Sequence, residues 1–88
     1  MQFLKEHLGP GNYEWDDQLI YNGDPSRRLY NRYNGKQLLF LINHFAESIK
    51  TFDLAKGILI QELLTHQLPV DAKSEISVMK WLNEKAIA

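Results

Sequence analysis

The chain has 88 residues, 10 Lys plus Arg against 11 Asp plus Glu for a formal charge of −1, 44% hydrophobic residues and no cysteine. A length of this order supports one small core rather than two, and the missing thiols exclude a disulfide framework, a thiolate metal site and a cysteine nucleophile. The near-neutral balance argues against a protein that holds nucleic acid or anionic lipid by bulk field. The opening residues, Met1-Gln2-Phe3-Leu4-Lys5-Glu6-His7, carry neither the basic stretch nor the apolar run of a secretory signal. No window approaches the eighteen apolar residues of a membrane span. The expectation is a single cytoplasmic domain over residues 1–88 with no membrane partner.

In chain order, Phe3, Leu4 and Leu8 predict a two-turn helix that ends at the loop chemistry of Gly9-Pro10-Gly11. In the next stretch, YEWDDQLIYNGD, the spacing of Trp15, Leu19 and Ile20 fits a helix. The set Tyr13, Trp15, Ile20 and Tyr21 ahead of Asn22-Gly23 fits a strand that turns back. Asp24-Pro25-Ser26 has the composition of a helix start, an acid at the cap and proline in the first turn, and predicts a helix over residues 25–33 with Leu29, Tyr30 and Tyr33 on one side. The alternative is a β-hairpin within residues 13–33, which would make the fold α+β.

From residue 36 the chain turns aliphatic. KQLLFLINHFAESIK places Leu38, Leu41, Ile42, Phe45 and Ile49 along one side of a helix over residues 36–50. Residues 52–67 repeat the pattern with Phe52, Ala55, Leu59 and Leu63, flanked by Ile60 and Leu64, until Pro69 stops it. Ser74 is a fair cap for a last helix, with Glu75 in its first turn and Ile76, Val78, Met79, Leu82 and Ala86 as its apolar side, Trp81 at the edge.

Leu38, Phe45, Phe52 and Leu59 recur every seven residues, so the stripe crosses residues 50–51 without losing phase. Either Thr51 or Asp53 caps a new helix and the chain folds back as an αα-hairpin, or residues 36–67 form one helix of about 48 Å that calls for a dimer. Gly57 inside the pattern and Lys56 on the stripe favour the hairpin. The predicted fold is therefore all-α, a bundle of about five helices centred on the hairpin of residues 36–50 and 52–67.

The most distinctive segment is SRRLYNRYNGK, residues 26–36, where Arg27, Arg28, Arg32 and Lys36 interleave with Tyr30 and Tyr33 and no acid is present. Arginine forks suit phosphate or carboxylate, and neighbouring tyrosines offer stacking faces. These six residues are the candidate partner- or phosphate-binding set. The plainer reading pairs the arginines with Glu14, Asp16, Asp17 and Asp24 and packs the tyrosines on the core. The pairs His44 with Glu47 and Glu62 with His66 have helical ligand spacing, but in a hairpin they do not meet, so no metal or cofactor is expected. Asp16 and Asp17 are adjacent and point in different directions on a helix, and no nucleophile, zinc or phosphate-loop motif is present. The expected function is non-catalytic: a small interaction or regulatory module whose partner is another protein or a second copy of itself. A nucleic-acid-associated regulator built on residues 26–36 is the alternative.

Overall fold

The computed structural model describes residues 3–8, 11, 13–15, 18, 21, 23–49 and 51–86. Three α-helices are present among them: α1 (Gly35–Glu47), α2 (Leu54–Glu62) and α3 (Glu75–Ala86). A π-helical turn, Leu63–Gln67, extends α2, and a single 3-10 turn, Lys5–His7, stands near the N-terminus.

Each helix begins where a side chain can satisfy its free amides. Asn34 caps α1 by accepting from Gln37 N, and Asp53 caps α2 by accepting from Lys56 N at 2.8 Å. The Ser74 hydroxyl accepts from Ser77 N at the start of α3. Helix α1 stops at Glu47, where Ser48 N and Ser48 Oγ both bond back to the Phe45 carbonyl. The helix does not continue past Ser48, and the chain returns as α2 from its cap at Asp53. The hairpin therefore forms, and the long continuous helix does not: the longest dimension of the molecule is 33 Å, short of the 48 Å or so such a helix needs. Its radius of gyration, 11.8 Å, matches the roughly 12 Å expected of a packed chain of this length.

The core is one cluster: Leu38, Leu41, Ile42 and Phe45 from α1, Ile60 and Leu64 from α2 and its extension, Val78, Met79 and Leu82 from α3, and Phe3. Phe3 enters because Asn43 holds its backbone from both sides. Phe3 N donates to Asn43 Oδ1, and Asn43 Nδ2 donates to the Phe3 carbonyl. The ring then lies directly on Gly57, where a Cβ would collide with it, so the glycine marks a close approach of the N-terminal segment to α2.

The first third of the chain departs from the expectation of helices. The two-turn helix before Gly9 is reduced to the one 3-10 turn. Residues 13–15, 18 and 21 are not helical, and Leu19, Ile20 and Asn22 lie outside the described residues. Residues 25–33 are extended and turned rather than helical. The hairpin alternative is not formed among the described residues either. Glu14 instead makes an isolated parallel bridge with Asn34, and Leu29 an antiparallel one with Ser74. The local start signal at Asp24-Pro25 is overridden because the carbonyls of this segment serve α3: Glu75 N donates to Arg28 O and Ile76 N to Ser26 O. A helix over residues 25–33 would keep those carbonyls for itself.

Phase also differs in the later helices. In α2 the buried side is Gly57, Ile60 and Gln61, continuing to Leu64, while Ala55 and Leu59 face outward. The seven-residue stripe carries Leu59 to the inner side only if the helix runs unbroken; the break between Ser48 and the cap at Asp53 resets the phase. In α3, Ile76 is exposed and Glu75 takes its place on the buried side.

Candidate functional site

The segment of residues 26–36 runs across the start of α3 and the end of the α2 extension, and most of its polar groups are used there. The Glu75 carboxylate has no exposed surface, yet every oxygen is satisfied. Arg28 Nε reaches Oε2 at 2.8 Å and Arg28 Nη2 reaches Oε1 at 2.9 Å, a forked pair. Ser26 N donates to Oε1 at 3.0 Å and the Ser26 hydroxyl at 3.4 Å. Gln37 Nε2 donates to Oε2 at 2.8 Å and also to the Leu29 carbonyl, and Gln37 Oε1 accepts from Asn31 N. Gln37 thus ties the inner face of α1 to both the segment and α3.

Burial alone would raise the Glu75 carboxyl, but the hydrogen bonds from Arg28, Gln37 and Ser26 and the charge of Arg28 outweigh it and hold the group below the ordinary carboxylate range. The Arg28 guanidinium is raised in turn, chiefly by its bond to Glu75. It lies 4.5 Å from the centre of the Tyr21 ring and 5.8 Å from that of Phe40, so the pair is roofed by aromatics.

Tyr30 and Arg32 serve the other end. The π-turn leaves carbonyls without helical donors. Tyr30 Oη donates to Leu64 O at 3.3 Å, and Arg32 Nη1 donates to Thr65 O at 3.2 Å. Burial, with a smaller push from Tyr13, raises the Tyr30 hydroxyl far above the ordinary phenol value against the pull of Arg32.

The candidate set is therefore divided by the fold. Arg28 and Tyr30 are committed to internal contacts, and Arg32 makes one such bond from an exposed position. Arg27 and Tyr33 project outward, with no partner among the described residues, and Lys36 is half-buried on the first turn of α1. The expected pairing of the arginines with the nearby acids is not what Arg28 does: its carboxylate comes from α3, 47 positions along the chain. Asp16 and Asp17, considered as paired carboxylates, lie outside the described residues.

Two chemical consequences follow. Glu75 has no acceptor site left for a substrate or metal. The N-terminus of α3 is closed to an anion, because its first four amides go to Arg28 O, Ser26 O, Ser74 Oγ and Ser74 O. Among the described residues no three His, Asp or Glu side chains converge on a metal position. None of their helices is long and apolar enough to cross a membrane.

Gln37 and Glu75 are the residues that sequence reasoning passed over. Glu75 precedes Val78, Met79 and Leu82 by three, four and seven positions, so it lies in the middle of the apolar stripe of α3; that phase was the available signal.

A second surface is left open on α2. Leu54, Ile58 and Leu59 are 47%, 37% and 51% exposed, and Ala55 beside them is exposed as well. The helix is apolar on both sides and only one is covered. Comparison of the chain with protein-family models, with curated proteins and with solved structures gives no match to any of them.

Proposed function

We propose that this protein is a non-catalytic interaction module of the cytoplasm that associates with itself. The observation that carries the reading is the outer side of α2, where Leu54, Ile58 and Leu59 remain in water although the opposite side of the same helix fills the core. Contiguous exposed apolar surface on a small protein is more often a contact than a solvated face. The Tyr/Arg segment supports the reading differently: by holding α3 and the α2 extension in place, Arg28, Tyr30 and Arg32 fix the frame that presents the open helix. Light scattering coupled to size exclusion across a concentration series tests it. The expected outcome is a mass that rises from one chain toward two; a constant single-chain mass at the highest concentration defeats the reading.

A second reading rests on Arg27, Arg32 and Tyr33, which stand outward on one basic segment. The side chains of Arg27 and Tyr33, and the part of the Arg32 guanidinium not bonded to Thr65 O, would meet phosphate or a base. A raised 260 nm absorbance in protein purified at low salt, lost at high salt, would favour it.

A further inference from the structure

We infer that the open face of α2 is covered by a different surface of a second copy, the outward row Arg27, Leu29, Arg32 and Tyr33. This rests on the self-association reading above and names the surface that meets the face.

The face carries an acid at each end. Leu54, Ile58 and Leu59 lie between Asp53, exposed at the N-terminal end of the helix, and Glu62, exposed one turn beyond Ile58. Asp53 caps the helix through Oδ1, and its Oδ2 has no partner among the described residues. Glu62 stands 3.9 Å from His66, beyond hydrogen-bond reach. Lys56 offsets neither acid, because it is half-buried on the flank with its ammonium on the Thr51 carbonyl at 3.2 Å. Such a face laid on its own copy sets carboxylate toward carboxylate in either direction, which disfavours that pairing.

The opposite order stands on the segment before α1. Arg28 and Tyr30 turn inward to Glu75 and Leu64 O, and Leu29 between them turns out, 73% exposed. Tyr33 is 57% exposed, and the fold gives neither side chain an apolar neighbour that covers it. A cation stands on each side of Leu29: Arg27 has no partner among the described residues, and Arg32 bonds to Thr65 O through Nη1 alone. The row is thus basic, apolar and basic where the face is acidic, apolar and acidic. Their spans also agree. Asp53 to Glu62 is about 14 Å of helix, and Arg27 to Arg32 is at most about 18 Å of chain when fully extended. Leu29 and Tyr33 then meet Leu54, Ile58 and Leu59, with the arginines on the two acids at the rim. The contact joins two unlike patches, so one row and one face suffice to hold a pair of chains.

The test uses the full chain, freed of nucleic acid at high salt and returned to low salt, with two variants. L59D spoils the face and R27E/L29D spoils the row; the altered side chains all lie outside the core. Circular dichroism and melting establish that both are folded, and L59S or R27A/L29S replaces either one that is not. Sedimentation equilibrium runs from about 10 μM to about 1 mM, the range suited to a contact this small. Wild type is expected to associate, and each variant alone to do so at least about tenfold more weakly. An equimolar mixture of the two should recover a one-to-one complex, because L59D keeps the row and R27E/L29D keeps the face. Either variant associating alone as wild type does would overturn the pairing while leaving self-association standing. A mixture no more associated than its components would overturn it as well. A wild type that stays monomeric to the highest concentration would remove the parent reading itself.

Discussion

Glu75 is a carboxylate with no contact with water in the folded state, and its five donors come from three residues, Ser26 and Arg28 of the extended segment and Gln37 of α1. Removing it by Glu75→Ala leaves Ser26 N without an acceptor, takes one of the two acceptors of Gln37 Nε2 and strands the Arg28 fork, at a cost of about 3 kcal/mol at neutral pH, read by urea denaturation. The pH dependence has a definite sign. Because the folded group titrates below its ordinary value of 4.5, its contribution is complete above that pH and is lost as the pH falls through the lower folded value. Melting temperature should therefore drop below about pH 4.5 in wild type, and the drop should be shallower in Glu75→Gln, which has no proton to gain. Tyr30 acts at the other extreme. Its hydroxyl is raised by burial, so the unfolded chain ionises first and stability declines as the pH rises past the ordinary value of 10. Tyr30→Phe should give up about 1 kcal/mol at neutral pH with the bond to Leu64 O, and should lack the alkaline decline. For Arg28 the consequence is that replacement by Ala loosens the fold itself, so a binding defect in that variant reports stability before it reports contact.

At the level of elements, the sharpest case is the crossing of Phe3 and α2. Ala is the better helix former than Gly by up to about 1 kcal/mol, which on its own favours Gly57→Ala. The buried Phe3 ring occupies the space a Cβ would take, and Asn43 holds the Phe3 backbone from both sides, so the ring has no route of retreat. Overpacking should win, with a net loss of about 1–3 kcal/mol in chemical denaturation. The helices themselves were legible in the sequence: the apolar phase of residues 38–45 and of Val78, Met79 and Leu82, the caps at Asp53 and Ser74 and the stop at Pro69 each lie in the local pattern. The extended run of residues 25–33 was not, because its reason is distant. Asp24-Pro25-Ser26 meets every local condition for a helix, and only the amides of α3, some 47 positions away, claim the carbonyls that such a helix would need. The outward turn of Leu59 was hidden by the regularity of the seven-residue stripe, whose phase is lost where the helix breaks between Ser48 and Asp53. In the candidate set, the residue types suggested contact with a partner, while the partners of Arg28 and Tyr30 inside the molecule, Glu75 and Leu64 O, lie too far along the chain to be read locally.

For the molecule as a whole, the decisive quantity is how little stability a chain of 88 residues commands, roughly 4–13 kcal/mol by per-residue averages. Among the described residues the core has ten members, of which Phe3 alone is contributed by neither a helix nor its extension. It sits where α1, through Asn43, meets α2, through Gly57, and its ring also meets that of Phe52 edge-on at 6.2 Å. Phe3→Ala should therefore cost about 3–5 kcal/mol. With about 4–8 °C per kcal/mol for a domain of this size, that is a fall in Tm of roughly 12–40 °C. Phe3→Leu, which keeps much of the apolar volume, should lose only a fraction of it. Calorimetry on the full chain reads both. Because the three helices share a single apolar cluster, each variant should still melt in one transition, displaced as a unit. A Phe3→Ala variant that melts within a few degrees of wild type would mean that the N-terminal segment lies on a core already closed without it.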